Sequence, residues 1–172
     1  MKNLEHNIAY IDGANLHRAA TTFGWQLDYR RFRVWLREKY GVETAYLFIG
    51  LIPKYKDLYT FLPEAGYILI FKETILNGDG VPKGNCDADL VLHATRDVFE
   101  AEYSRAVIVS SDGDYASLVK FLAEKKKLKV ILSPYPQKHC SVLIKRTNAP
   151  ISYIIDQKGI LEGEKKKPPT RT

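Results

Sequence analysis

Asp112 and Asp114 stand two residues apart across Gly113, directly after the uncharged, mostly β-branched run Val107 to Ser110. That run reads as a buried strand, and Ser111 to Asp114 as a turn capping a helix that begins near Tyr115. Open α/β sheets bind their ligands just beyond the carboxyl ends of their strands. Two carboxylates on one glycine-hinged turn at such a place repel each other unless something positive arrives. This stretch therefore predicts half of a metal site.

A second carboxylate stands at a comparable place. The apolar segment Asn7 to Ile11 runs straight into Asp12, Gly13, Ala14 and Asn15, ahead of a helix from Leu16. Asp12 reads equally as a helix cap or turn former and as a strand-end carboxylate matching Asp112. A third acid, Asp87, opens the helical stretch Asp87 to Glu102. At about 100° per residue it shares the apolar face of Leu90, Val91, Ala94 and Val98, whereas Asp89 and His93 point away. An acid there either favours the helix dipole or faces a cation near the sheet. His93 and Asp97, four residues apart, fall on the outer face and are expected in solvent.

If the strands before Asp12 and Asp112 are neighbours, Asp12, Asp87, Asp112 and Asp114 lie close together. Like charges tolerate that only around a cation. An all-oxygen cluster suits Mg²⁺ or Mn²⁺ better than zinc. Such ions activate water and steady the charge on a phosphodiester undergoing in-line displacement.

The rest of the chain must hold these acids in place. Tyr29 to Tyr40 has helical periodicity, with Phe32, Trp35 and Leu36 inward, Arg30, Arg33 and Arg37 as a solvated face, and Gly41 as its end. Strands are expected at Val42 to Ile49, Gly66 to Lys72, Leu128 to Leu132 and Ile151 to Ile155, and helices at Pro53 to Leu62, Tyr115 to Lys127 and Ser141 to Arg146. Tyr55 and Tyr59 share a helix face suited either to packing or to stacking on bases. The polar, glycine-rich stretch Thr74 to Gly84 is expected as an irregular loop at the rim of the site. Strands separated by helices imply an α/β fold, a mostly parallel sheet covered on both faces. One domain over residues 1–158 is expected, with a charged, disordered tail at 159–172.

With 45% hydrophobic and 27% charged residues among 172, the composition is that of a soluble globular protein. The net charge of +6 favours an anionic partner such as RNA or another nucleic acid. Cys86 and Cys140 have neither C-x-x-C spacing nor a histidine cluster. They read as reduced thiols of a cytoplasmic protein. No apolar run approaches the ~18 residues of a membrane span, so no membrane partner is expected. A homo-oligomer is compatible with the sequence. The absence of G-x-G-x-x-G and of a P-loop disfavours a nucleotide-cofactor enzyme. The lack of a second Asp in a D-x-D pattern after the first strand disfavours a phosphatase working through aspartyl-phosphate.

Three blocks in this order, Tyr10 to Leu16, Lys83 to Ala94 and Val107 to Tyr115, resemble the NYN-domain proteins, the LabA-like branch of the PIN-like nuclease superfamily. The likeness covers most of residues 6–156. It implies a Rossmann-like, three-layer α/β/α sandwich and a ribonuclease that hydrolyses RNA phosphodiester bonds at an aspartate-bound Mg²⁺ or Mn²⁺ centre. By position it implies that Asp12 is the first-strand ligand and Asp87 the acid opening the central helix. Asp112 matches the ligand after the later strand, and Asp114 the accessory acid beside it. All four are the catalytic and metal-binding residues that the likeness implies. Asn15 would orient Asp12 or contact substrate. Ser110, Ser111 and Lys83 belong to the substrate side, Lys83 against phosphate. His93 departs from the pattern, because many relatives carry another acid there. The alternative is a catalytically silent RNA-binding or regulatory module that keeps the acidic pocket.

Overall fold

The computed structural model describes residues 5–51, 55–72, 75–76, 78, 82–83 and 86–163. In chain order these form β1 (Asn7–Asp12), α1 (Gly13–Thr22), α2 (Tyr29–Tyr40), β2 (Val42–Gly50), α3 (Lys56–Glu64) and β3 (Ile68–Lys72). There follow β4 (Ile75–Leu76), β5 (Pro82–Lys83), α4 (Asp87–Glu100), β6 (Ala106–Val109), α5 (Ala116–Glu124) and β7 (Leu128–Ser133). The chain closes with α6 (Val142–Lys145), β8 (Ile151–Tyr153) and α7 (Lys158–Leu161). No helix among the described residues is long and apolar enough to cross a membrane.

Six strands make one parallel sheet in the order β3-β2-β1-β6-β7-β8. Central strands covered on both faces need apolar residues on both, and β1 is buried at every position. Ala9, Ile11, Val107, Val109, Val130 and Leu132 face a core completed by α1, α2, α3 and α7. Ile8, Tyr10, Ala106, Ile108 and Ile131 face the opposite core, under α4, α5 and α6. This is the expected three-layer α/β/α sandwich. The chain winds outward from β1 through β2 to β3, then returns to β6 and winds the other way. The loops leaving β1 and β6 therefore diverge, and a crevice opens between them at the carboxyl end of the sheet.

The amino end of the sheet is held by polar side chains. Buried Asn7 donates from Nδ2 to the Tyr40 carbonyl at 2.6 Å and accepts the Arg105 N–H on Oδ1 at 2.9 Å. It thus ties β1 to the end of α2 and the start of β6. Glu5 pairs with Arg105 and, at 2.7 Å, with Lys129. The hydrogen bond from Lys129, then those from Asn7 and Arg105, holds its carboxyl down at about 2. Gly41 ends α2 in a left-handed conformation, φ 62°, that a side chain would strain.

Several elements differ from expectation. The buried face of α4 is Leu90, Ala94 and Asp97, rotated from the expected stripe toward His93. Asp97 is not in solvent: it is 6% exposed and accepts the Tyr10 hydroxyl at 2.9 Å. A tyrosine pointing from a central strand into a helix-covered core needs an acceptor, and Asp97 supplies it. His93 turns inward with it, 3.3 Å from Asp97 and 4.5 Å between ring centroids from Tyr46. Arg33 does not belong to a solvated face. Its guanidinium clips the carbonyls of Gly66, Val42 and Glu43. Within the expected loop at 74–84, Ile75 pairs with Lys83 and Leu76 with Pro82 in an antiparallel ladder. Tyr59 packs on Phe71 and donates to the Gly50 carbonyl, which favours the packing reading, and Tyr55 is exposed.

The expected tail boundary also moves. Leu161 is buried, its carbonyl accepts the Asp28 N–H, and Gly163 donates to the Gln26 carbonyl. Packed chain thus continues to Gly163, because α7 closes the core over Leu27 and α2. Residues 164–172 lie outside the described residues.

Two measurements test this packing. Asp97→Leu leaves the Tyr10 hydroxyl buried without an acceptor and should cost about 1–3 kcal/mol in denaturant unfolding. Adding Tyr10→Phe should recover part of that loss, and a purely additive pair would contradict the assigned bond. For Glu5, the folded carboxyl is depressed from 4.5 to about 2, so its contribution is complete above the unfolded value and lost as pH falls toward about 2. Glu5→Gln should therefore be less stable than wild type at neutral pH, with the gap closing across that acidic interval in a pH series of urea midpoints.

Candidate functional site

Parallel register sets Asp12 beside Phe48 on one side and, one step beyond the Ile11–Val109 pair, beside Ser110 on the other. The acids of β1 and β6 thus emerge at adjacent points of the crevice. Gly13 follows Asp12 because a Cβ there would lie 2.8 Å from the Phe48 carbonyl oxygen. Only glycine lets α1 start so close to β2. Asp12 caps α1, taking the Asn15 N–H at 3.0 Å. The cap reading of Asp12 is thus realised.

After β6 the chain makes a 3-10 turn over Gly113–Tyr115, capped by Asp112, which accepts the Asp114 N–H at 3.0 Å. A Cβ on Gly113 would come within 2.5 Å of Ser141 Oγ. The turn rests on the residues that start α6, and Ser141 N–H donates to the Ser111 carbonyl at 3.2 Å. On the other side, Asn15 Oδ1 accepts both the N–H and the hydroxyl of Ser111, at 3.1 and 2.9 Å. The Asn15 amide therefore orients the Ser111 turn; toward Asp12 it offers only its backbone. Ser110 lies beneath, its hydroxyl donating to Asp12 at 3.3 Å and accepting the Asp112 N–H at 3.2 Å.

Asp87 begins α4 and reaches the same turn. Asp87, Asp112 and Asp114 each present a carboxylate oxygen, all within 4.8 Å of one another. That span is about twice the ~2.0–2.6 Å oxygen distance of Mg²⁺ or Ca²⁺, so one ion fits between them with small side-chain rotations. The donor set is all oxygen. Burial, then the charge of Asp12, raises the neighbouring Cys86 thiol to about 11, so it offers no thiolate at neutral pH.

Asp12 is not one of the three converging acids. It is 6% exposed and lies one hydroxyl behind them: Tyr115 Oη is 2.6 Å from Asp87 Oδ1 and 3.3 Å from Asp12 Oδ2. A phenol has one hydrogen, and the shorter contact takes it. Burial first, and then the two acids, raise the Tyr115 hydroxyl far above its usual value, so it stays a donor. Burial also raises Asp12, with the Asn15 N–H opposing and the Asp87 charge reinforcing the shift.

Tyr115 is one site residue that sequence reading missed: next to Asp114 it read as the start of a helix, and its burial shows only in the fold. Lys72, at the end of β3, is a second: its amine pairs with Asp89 at 3.1 Å in the first turn of α4. Lys83 lies in β5, and its side chain is outside the described residues.

Among solved structures, the fold matches a protein of unknown function from Vibrio parahaemolyticus with TM-score 0.74 and 20% identity, over 95% of this chain and 99% of that one. At that identity the likeness concerns the fold. No curated protein matches the sequence. The NYN domain family model matches residues 8–154, which includes all but the first residue of β1, all of α4 and β6, and all four acids. With most of its length matched, and with a nuclease-like α/β fold that gathers three acids at the switch point of the sheet, the chain belongs to the NYN domain family.

Proposed function

We propose that this protein is a metal-dependent ribonuclease whose Mg²⁺ or Mn²⁺ is held by Asp87, Asp112 and Asp114. The convergence of three carboxylates from two elements distant in sequence carries this reading. When bound, such an ion lowers the pKa of a coordinated water and offsets charge on the phosphodiester.

The chain's own residues prepare that chemistry. The 3-10 turn fixes Asp112 and Asp114 in one frame, with Asp114 on its exposed side. Tyr115 orients the Asp87 carboxylate through its 2.6 Å hydrogen bond, as outer partners of metal ligands do. Asp12 acts as a positioning residue, accepting the Ser110 hydroxyl and the Asn15 N–H at the start of α1, with the Tyr115 oxygen 3.3 Å away. Ser110, Ser111 and Asn15 hold the turn that substrate would approach, and Lys72 stands at the carboxyl end of β3. The net charge of +6 attracts an RNA backbone without sequence preference. RNA as partner, a cytoplasmic location and placement in the LabA-like branch belong to the same proposal.

The test is cleavage of a labelled single-stranded and a structured RNA with Mg²⁺, with Mn²⁺ and with EDTA. Asn at position 112 can keep the cap on the Asp114 N–H while removing the charge. Asp112→Asn should thus fold normally and lose at least ~100-fold in rate, beyond the ~10–100-fold expected for Tyr115→Phe as an outer partner. Cutting that survives both Asp112→Asn and Asp114→Asn would contradict the assignment. Salt-dependent RNA binding without any cutting would make the domain a binding module.

A further inference from the structure

The positive charge of this chain is not spread evenly. Residues 125–155 contain seven Lys or Arg and no Asp or Glu, and the other nineteen cations and twenty acids leave the rest of the chain at −1. Four of the seven lie around the start of β7, at the amino end of the sheet. There Lys129 pairs with Glu5, Lys127 donates to the Tyr103 carbonyl, and Lys125 lies over the Phe99 and Phe121 rings. The other three, Lys138, Lys145 and Arg146, belong to the connection that runs from β7 through α6 to β8. Among the described residues, their side chains make no ion pair and no hydrogen bond.

That connection is built against the acidic turn. Ser141 donates its N–H to the Ser111 carbonyl, and Leu143 lies 3.1 Å from where a Cβ on Gly113 would stand. Arg146, three residues after Leu143, shares its side of α6, and Lys145 stands in the same relation to Val142. Arg146 is five residues from Ser141, about 7.5 Å along a helix axis, and Lys138 is at most ~11 Å of chain in the other direction. On the β3 side of the acids, by contrast, Lys72 is already paired with Asp89.

Three carboxylates repel a phosphodiester, and an ion held between them offsets that repulsion only locally. A nucleic-acid substrate therefore needs unpaired positive charge beside the acids. We propose that Lys138, Lys145 and Arg146 form a one-sided track for the backbone phosphates of an RNA strand that flank the bond held at the acidic turn. This rests on the ribonuclease reading and adds the direction in which substrate lies, toward β8 rather than β3. Val142 and Leu143, 56% and 52% exposed, give sugars and bases an apolar surface between the cations.

The test is equilibrium binding of a short single-stranded RNA to the 172-residue chain across a salt series, in EDTA so that no metal-dependent cutting occurs. Each phosphate contact to a single strand adds about 0.7 to the slope of log affinity against log salt, or about fivefold in affinity at ~0.1 M. Lys138→Ala and the pair Lys145→Ala with Arg146→Ala should each lower affinity and slope, the triple variant by about 100-fold and about 2. Lys126→Ala removes the same charge at the amino end of the sheet and should change neither. Wild-type affinity and slope in the triple variant, or an equal loss per charge in Lys126→Ala, overturns the track. A DNA strand of the same sequence identifies the backbone: tighter RNA binding assigns the track to RNA, and equal binding assigns it to either strand. Cleavage with Mn²⁺ separates this from the ribonuclease reading. Wild-type cutting with a KM that the triple variant leaves unchanged overturns the track alone, whereas binding that needs these cations, without cutting, keeps the track and removes the nuclease.

Discussion

Mutual repulsion among carboxylates is the constraint around which this molecule is arranged. Three acids within 4.8 Å, with a fourth one hydroxyl away, are held there by bonds that do not themselves need a metal. Asp112 spends one oxygen on a backbone N–H of its own turn, Asp12 does the same for α1, and Asp87 receives the phenol of Tyr115. Each acid is thereby oriented before any cation arrives. The remaining repulsion is what a divalent ion would relieve, and preorganisation of this kind keeps the reorganisation cost of binding low.

The fold explains why the acids can meet at all. Residues 12 and 112 are a hundred positions apart, yet the winding reversal between β1 and β6 makes their strands neighbours. Two glycines let the turns close on that point, Gly13 against the Phe48 carbonyl and Gly113 against Ser141. The opposite end of the sheet is fastened by Asn7, Glu5, Arg105 and Lys129, and among the described residues no ion pair joins the central strands at the carboxyl end. The structural ion pairs and the acidic cluster are placed at opposite ends of the same strands.

Much of this was legible from residue types. β1 and β6 announce themselves because a strand buried on both faces is apolar throughout, and each ends in a polar Asp-Gly turn. Helix α2 was placed residue for residue because its period and its closing glycine agree. What escaped the sequence was non-local pairing. Asp97 counts as polar on a helical wheel, and only the arrival of the Tyr10 hydroxyl from β1 makes it a core residue. Tyr115 read as the start of a helix, since nothing local says that its hydroxyl reaches two acids from other elements. Leu161 follows exposed Ile160 at the edge of a charged stretch, and two adjacent apolar residues have no period to reveal which of them closes the core. Asp12 was legible as a site residue, whereas its place behind Asp87, Asp112 and Asp114 depends on side-chain direction, which spacing does not encode.

In the proposed centre Asp87, Asp112 and Asp114 are the ligands and Asp12 their support. A crystal of the protein soaked in Mn²⁺, with anomalous scattering recorded at the metal edge, addresses it directly. An anomalous peak is expected within ~2.0–2.4 Å of oxygens from those three acids, with Asp12 still on the Asn15 N–H. A peak centred on Asp12, or an acidic turn that stays without metal at millimolar Mn²⁺, would contradict it.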